Sequence, residues 1–271
     1  MGKQAAGGQF TPYWDKVGAV GHYDYGSLTM ARTLGADPNQ VATNGRRVLL
    51  GWIGGFWGPV SQSLPRDLSL SSDYELLQQF VPELKMLRLP GTEHHTVSAA
   101  ATATATATTP AAAMAPPHSG NNGGGGGGSL RTEIVASFSW SGANPTAAFG
   151  VSILNGTAEL TVDCGGTDPQ AVGGCMVCAA GHPSTAPHTP YNPSSVCGPL
   201  LPIGTKAVHL HSIIDHSIIE TIWNNRTAMV TYSDPPSETA TSVKLMGITA
   251  AIKAQITTYD LDVANNNGPQ P

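Results

Sequence analysis

The sequence predicts a mainly β protein whose C-terminal half forms a β-sandwich. Two observations carry this reading. From about residue 130 onward the chain is a succession of short β-rich runs: "EIVASFSW", "FGVSIL", "AELTVDC", "AVHLHSIID", "SIIETIW", "TAMVTYS", "SVKLMGIT" and "AIKAQITTYDLDV". Gly, Asn, Pro and Asp fall between them, and many short strands at regular spacing with turn signals indicate a sandwich. The 32 glycines and 21 prolines among 271 residues then supply turns, and no convincing long helical pattern competes.

The elements follow in order. Residues 1–92 carry short apolar runs divided by turn residues. "RRVLLGWIGG" (46–55) reads as a buried strand ending in glycines. "SLPRDLSLSSDYELLQQFVP" (63–82) reads as two strands around a Ser-Ser-Asp turn. "PELKMLR" (82–88) starts a helical turn, because Pro is tolerated at a first helical position. Residues 93–129 are low-complexity Ala/Thr/Pro/Gly sequence that cannot bury enough apolar surface to offset chain entropy, and read as a linker. Its glycine run lacks the Gly-Lys-Ser/Thr of a phosphate loop. Residues 130–265 hold the sandwich strands, and 266–271 a disordered tail. Asn224-Asn225 lies where a tight hairpin turn is expected, since Asn tolerates positive φ.

Composition narrows the function. Charged residues make up 11% of the chain and the net charge is −5, which provides no basic footprint for nucleic acid. No apolar run reaches the roughly 18 to 20 residues of a membrane span. The longest, "VLLGWIGGFWGPV" (48–60), is short and broken by glycines. The N-terminal "MGKQAAGGQF" lacks the apolar core of a signal peptide and the Ser or Thr of a myristoylation signal. Cys164, Cys175, Cys178 and Cys197 cluster near His182 and His188. A zinc site would need a second Cys-x-x-Cys or a His pair at ligand spacing. Loop disulfides or free thiols are the expectation, with no metal and no cofactor, and the pairing is left open. Two sequons, Asn155-Gly-Thr157 and Asn225-Arg-Thr227, favour a secretory route.

Several longer segments occur in a telling order: "HYDYGSLTMARTL" (22–34), "GRRVLLGWIGG" (45–55), "SLPRDLSL" (63–70), "QQFVPELKMLR" (78–88) and "IIDHSIIETIWNNRTAMVTYSDPP" (213–236). Together they resemble glycoside hydrolase family 32, the invertases, fructanases and fructosyltransferases. "DHSIIE" (215–220) and the closing "SVKLMGITAAIKAQITTYDLDVAN" look like elements of that family's C-terminal sandwich. The resemblance implies a five-bladed β-propeller followed by a β-sandwich, with this chain holding a remnant of the last blade in residues 1–92. It implies retaining hydrolysis or transfer at a fructosyl unit of sucrose or fructan, and an extracellular or vacuolar location. A separate chain could supply the missing blades.

That chemistry needs a nucleophile and an acid/base carboxylate about 5–5.5 Å apart. The family's motifs for them precede the matched segments. Neither a Glu-Cys dipeptide nor an Arg-Asp-Pro occurs here; Arg66-Asp67 is followed by Leu68 in a strand match. Asp37-Pro38-Asn39 spells the nucleophile motif, but it comes after "YDYGSLTMARTL", where the family has a variable loop, and Asp-Pro-Asn is ordinary turn chemistry. No catalytic residue is therefore expected in this chain, which reads as a fragment inactive alone or, alternatively, as a non-catalytic carbohydrate-binding or assembly module derived from such a hydrolase. Asp24 of "YDYG" is a candidate substrate-binding residue at a pocket rim, with backbone hydrogen bonding in a turn as the competing role. Leu28-Thr29-Met30 stands where the family has Phe-Tyr-Ala, which removes a phenol that could contact ligand. Trp52 and Trp57 could stack on sugar, but in an apolar run they are expected in the core. Asp215, His216 and Glu220 resemble a catalytic trio by composition and are read as structural: the first two at a strand bend, Glu220 in the next strand.

Overall fold

The computed structural model describes residues 2–4, 10–12, 22–35, 45–54, 61–72, 75–98, 130–165, 174–181, 195–237 and 239–262. The N-terminal strands are β1 (Gly2–Gln4), β2 (Phe10–Pro12), β3 (Leu28–Leu34), β4 (Arg47–Ile53), β5 (Ser61–Gln62), β6 (Arg66–Leu70) and β7 (Leu76–Phe80). A 3-10 turn, Pro82–Leu87, and β8 (His94–Val97) follow. The C-terminal strands are β9 (Arg131–Trp140), β10 (Phe149–Ile153), β11 (Ala158–Asp163), β12 (Met176–Gly181), β13 (Ser195–Pro199), β14 (Ala207–Asp215), β15 (Ile218–Trp223), β16 (Thr227–Tyr232), β17 (Lys244–Met246) and β18 (Ile252–Asp260). The protein is mainly β, as its sequence predicts.

The C-terminal strands form two antiparallel sheets, ordered β13-β12-β11-β10-β17 and β16-β15-β14-β9-β18-β8. Period-2 alternation sets their inner faces. In β11, Ala158, Leu160 and Val162 are buried while Glu159 is exposed. Phe138 and Trp140 of β9 meet Phe149 of β10 edge to face, at ring centroids 5.6 and 5.5 Å apart. With Leu210, Ile214, Ile219, Trp223 and Met229 they belong to one continuous apolar core between the sheets. Composition groups His94–Val97 with the low-complexity segment. These residues nonetheless pair with β18, from Val97 opposite Gln255 to His94 opposite Thr258. Residues 99–129 and 263–271 lie outside the described residues, as do Trp57, His182, His188 and the whole of Asp37-Pro38-Asn39.

The cysteines pair as Cys164–Cys175 and Cys178–Cys197. Antiparallel register explains both bonds. Asp163 faces Met176 in the β11–β12 ladder, so the next residues out, Cys164 and Cys175, face each other. Cys178 is directly opposite Cys197 in β12–β13. Among the described residues no group of side chains could hold a metal ion.

The N-terminal sheet runs β3-β4-β6-β7 in sequence order, with β5 paired to the end of β4. Its inward side chains Leu28, Leu49 and Ile53 pack on Val230 of β16. Phe80, beside Leu64, Leu84 and Leu87, packs on Ile213, Ile222 and Ala228. The six-stranded sheet is thus covered on both faces near β15 and β16. This is why "IETIW" and "TAMVT" are buried throughout and do not alternate. Trp52 corrects the core expectation: it is 53% exposed. Leu49, Gly51 and Ile53 face inward in β4, and the period of two turns Trp52 outward.

Candidate functional site

Asp24, Arg66 and Glu220 converge on the seam between the N-terminal sheet and the sandwich. Residues 24–27 lie along the edge of β16. Tyr25 N donates to Ala228 O at 2.9 Å and Ser27 N to Val230 O at 3.0 Å. This approach requires glycine between them: a Cβ on Gly26 would stand 1.9 Å from Val230 O. The Gly of "YDYG" is thereby explained by contact with a strand two hundred residues away in sequence.

Asp24 organises this edge. Its Oδ1 accepts from Gly26 N at 2.7 Å and from Val230 N at 3.3 Å, while Oδ2 accepts from Arg66 Nη1 at 2.8 Å. Arg66, at the start of β6, is fully buried, and its Nη2 donates to Glu220 Oε2 at 2.9 Å. Glu220 Oε1 accepts from Leu64 N at 2.6 Å. All four carboxylate oxygens are therefore taken. Desolvation weakens the Arg66 cation, yet the attraction of Asp24 and Glu220 outweighs it and holds its pKa above the ordinary value. Burial pushes the Glu220 carboxyl up, and Arg66 with the Leu64 amide offsets only part of that. Burial, reinforced by Glu220, pushes Tyr232 up to about 12.

This arrangement holds a seam. A retaining pair needs two carboxylates facing a space that a sugar can enter, one of them free to give up a proton. Here both are on one guanidinium, and the Asp24 side chain is 0% exposed. Asp24 thus makes the backbone hydrogen bonds considered as its alternative role, and presents no oxygen to solvent. The Asp215/His216/Glu220 trio does not converge. Asp215 Oδ1 is 2.8 Å from His216 Nδ1 and 3.2 Å from Arg131 Nε at an exposed hairpin. Glu220 points into the seam instead. His216 has φ 56°, as the bend reading anticipates.

A second polar cluster lies on the outer face of the six-stranded sheet. Sequence reasoning passed over it, because its members are far apart in the chain. Arg88 forks onto Glu133, with Nε to Oε2 at 2.6 Å and Nη2 to Oε1 at 2.8 Å. His211 Nε2 is 2.7 Å from Glu133 Oε1. The Arg88 guanidinium stacks 3.7 Å from the Tyr259 ring centroid. Burial would raise the Glu133 carboxyl; Arg88 and His211 outweigh it and bring it down to about 2. The cluster anchors the chain after the 3-10 turn to the sandwich. Its only sequence signal is Glu133, the one acidic residue of β9.

No protein-family model and no curated protein matches the chain. Solved structures do. The exo-inulinase of Aspergillus awamori matches with a TM-score of 0.60 at 16% identity, over 95% of this chain and 48% of its own. The sucrose-6-phosphate hydrolase of Lactobacillus gasseri matches with a TM-score of 0.58 at 13% identity, over 88% of this chain and 42% of its own. The β-fructofuranosidase of Schwanniomyces occidentalis, complexed with fructosyl-erythritol, gives 0.56 at 14% identity, over 88% and 48%. The chain spans about half the length of these structures or less. The resemblance to glycoside hydrolase family 32 therefore holds at the level of fold: this chain has the β-rich, sandwich-containing fold of the fructofuranosidases over part of their length.

Proposed function

We propose that the chain corresponds to the C-terminal portion of a β-fructofuranosidase-type hydrolase and is inactive by itself. The occupied seam carries this reading. The two carboxylates that the structure brings together, Asp24 and Glu220, are both spent on Arg66 and buried. On this view residues 1–92 hold a remnant of the last blade of a propeller. The sequential four-stranded antiparallel order of β3-β4-β6-β7 supports it. Substrate chemistry on sucrose or fructan belongs to preceding blades. An extracellular or vacuolar location fits the two disulfides, which persist in oxidising compartments.

The test is direct. The purified chain is incubated with sucrose and with inulin, and released fructose is measured. No turnover is expected. Turnover abolished by Asp37→Ala would overturn the reading and restore Asp37 as a nucleophile.

An assembly role is the second reading, and one observation favours it. Met30, Leu34 and Trp52 of the N-terminal sheet are 49%, 52% and 53% exposed, and among the described residues β3 is an edge strand. Exposed apolar side chains beside an open edge suit packing against further β-structure. Sedimentation of the chain with and without a separately expressed upstream propeller segment tests this. A complex is expected; two independently sedimenting species would remove it.

A further inference from the structure

The structure assigns Asn155 and Asn225 as acceptors of N-linked glycans, placed at opposite ends of strand β16. Both head an Asn-x-Thr triplet, and both are exposed on turns. Asn155 sits between β10 and β11 with φ 57° and ψ 28°. Its Oδ1 accepts from Ser242 N at 3.2 Å, so the side-chain carbonyl is held against the protein while Nδ2 is the atom left for substitution. Asn225 is the second residue of the β15–β16 hairpin, where Asn224 and Asn225 have φ 48° and 56°. The two residues of that turn divide their roles. Asn224 is used inward: its Oδ1 accepts from His209 N at 2.7 Å and its Nδ2 donates to Leu201 O at 2.9 Å. Asn225, the one that the triplet marks, is exposed.

The two acceptors are well separated. Ser233 Oγ, just past the end of β16, donates to Thr157 O at 3.0 Å, which places the first triplet at that end. Thr227 of the second triplet opens β16. At about 3.3 Å per residue the strand sets them on the order of 20 Å apart. Two attached glycans would therefore not crowd each other. The two disulfides point independently to the oxidising compartment in which such transfer occurs.

In the transfer step the Nδ2 of each asparagine attacks C1 of an oligosaccharide carried on a polyisoprenyl pyrophosphate. The N–C1 bond forms and the C1–O bond to the pyrophosphate breaks. The lipid pyrophosphate leaves with the electron pair, and the amide proton passes to a base of the transferase. No oxidation occurs.

The full chain, led into the secretory pathway of a yeast cell, is digested and peptide-mapped from both the secreted and the cell-retained pools. Mapping the retained pool reads the modification even if export is slow. Amidase release in heavy-oxygen water is expected to leave labelled Asp at 155 and at 225, and Asn155→Asp with Asn225→Asp to abolish the gel shift. Asp tolerates the left-handed turn, so these variants keep the fold. Unlabelled Asn at both positions in both pools would overturn the assignment, and a bare Asn at one would overturn it for that site.

Discussion

The sandwich and the N-terminal sheet are both antiparallel β-structure, yet they are held in different ways. The sandwich closes on itself: two inner faces meet in one apolar core, and two disulfides tie β11, β12 and β13. The N-terminal sheet contributes Leu28, Leu49 and Ile53 to a small cluster whose fourth buried member, Val230, belongs to the sandwich. Its polar seam is likewise shared, since Arg66 reaches Glu220 of β15. The difference teaches that the N-terminal sheet borrows its order. It is seated on a complete layer pair and leaves apolar side chains exposed on its own far side.

Removing the cation at the seam should separate the two regions most. Arg66→Met leaves Asp24 and Glu220 buried without their partner, a change that costs about 3–5 kcal/mol in such pairs. Denaturant unfolding should show a lost or early N-terminal transition while the sandwich transition remains. Next in size is the sandwich's own staple. Replacing Cys178 and Cys197 together by Ala should lower the stability of the sandwich by about 2–4 kcal/mol, with little effect on the N-terminal signal.

Glu133 gives a smaller, pH-dependent effect. Its folded pKa of about 2 lies below the ordinary glutamate value of 4.5, so its contribution is present above that value and is lost as pH falls toward 2. Glu133→Gln should cost about 1–2 kcal/mol at neutral pH, allowing for solvent screening, and should flatten the acid limb of stability against pH. The smallest change is expected at Trp52→Ser. An exposed side chain on the far side of β4 should alter stability by less than about 0.5 kcal/mol. It should nevertheless weaken any association with an upstream segment, measurable by sedimentation.

Much of the fold was legible because local rules decide it. Alternation in "AELTVDC" gives β11 its buried and exposed sides, and Asn224-Asn225 forms the hairpin that its φ tolerance allows. "PELKML" forms the short helical turn that Pro82 opens. What was not legible depends on register or on distant partners. The cysteine pairs follow only from which residues face one another across β11, β12 and β13. Trp52 looked like core because its run is apolar throughout, and only strand period and the position of the sheet turn it outward. At the seam, Arg66 and Glu220 are separated by 154 residues. No local pattern links a strand-opening Arg to an acid in "IIETIW". The sequence could mark Asp24 as notable, but whether it faced ligand or backbone depended on β16 lying against it. Glu133 carries no local signal for the same reason: Arg88 and His211 reach it from other strands and turns.

Amide hydrogen exchange on the chain tests the central claim most directly, that an N-terminal sheet with a shared core is seated on a self-sufficient sandwich. The account predicts that β9, β14 and β15 exchange only through global opening, while β3 and the outer part of β4 exchange through a smaller one. Arg66→Met should widen that gap. Protection of β3 through β7 equal to that of β9 and β14, unchanged in Arg66→Met, would contradict it.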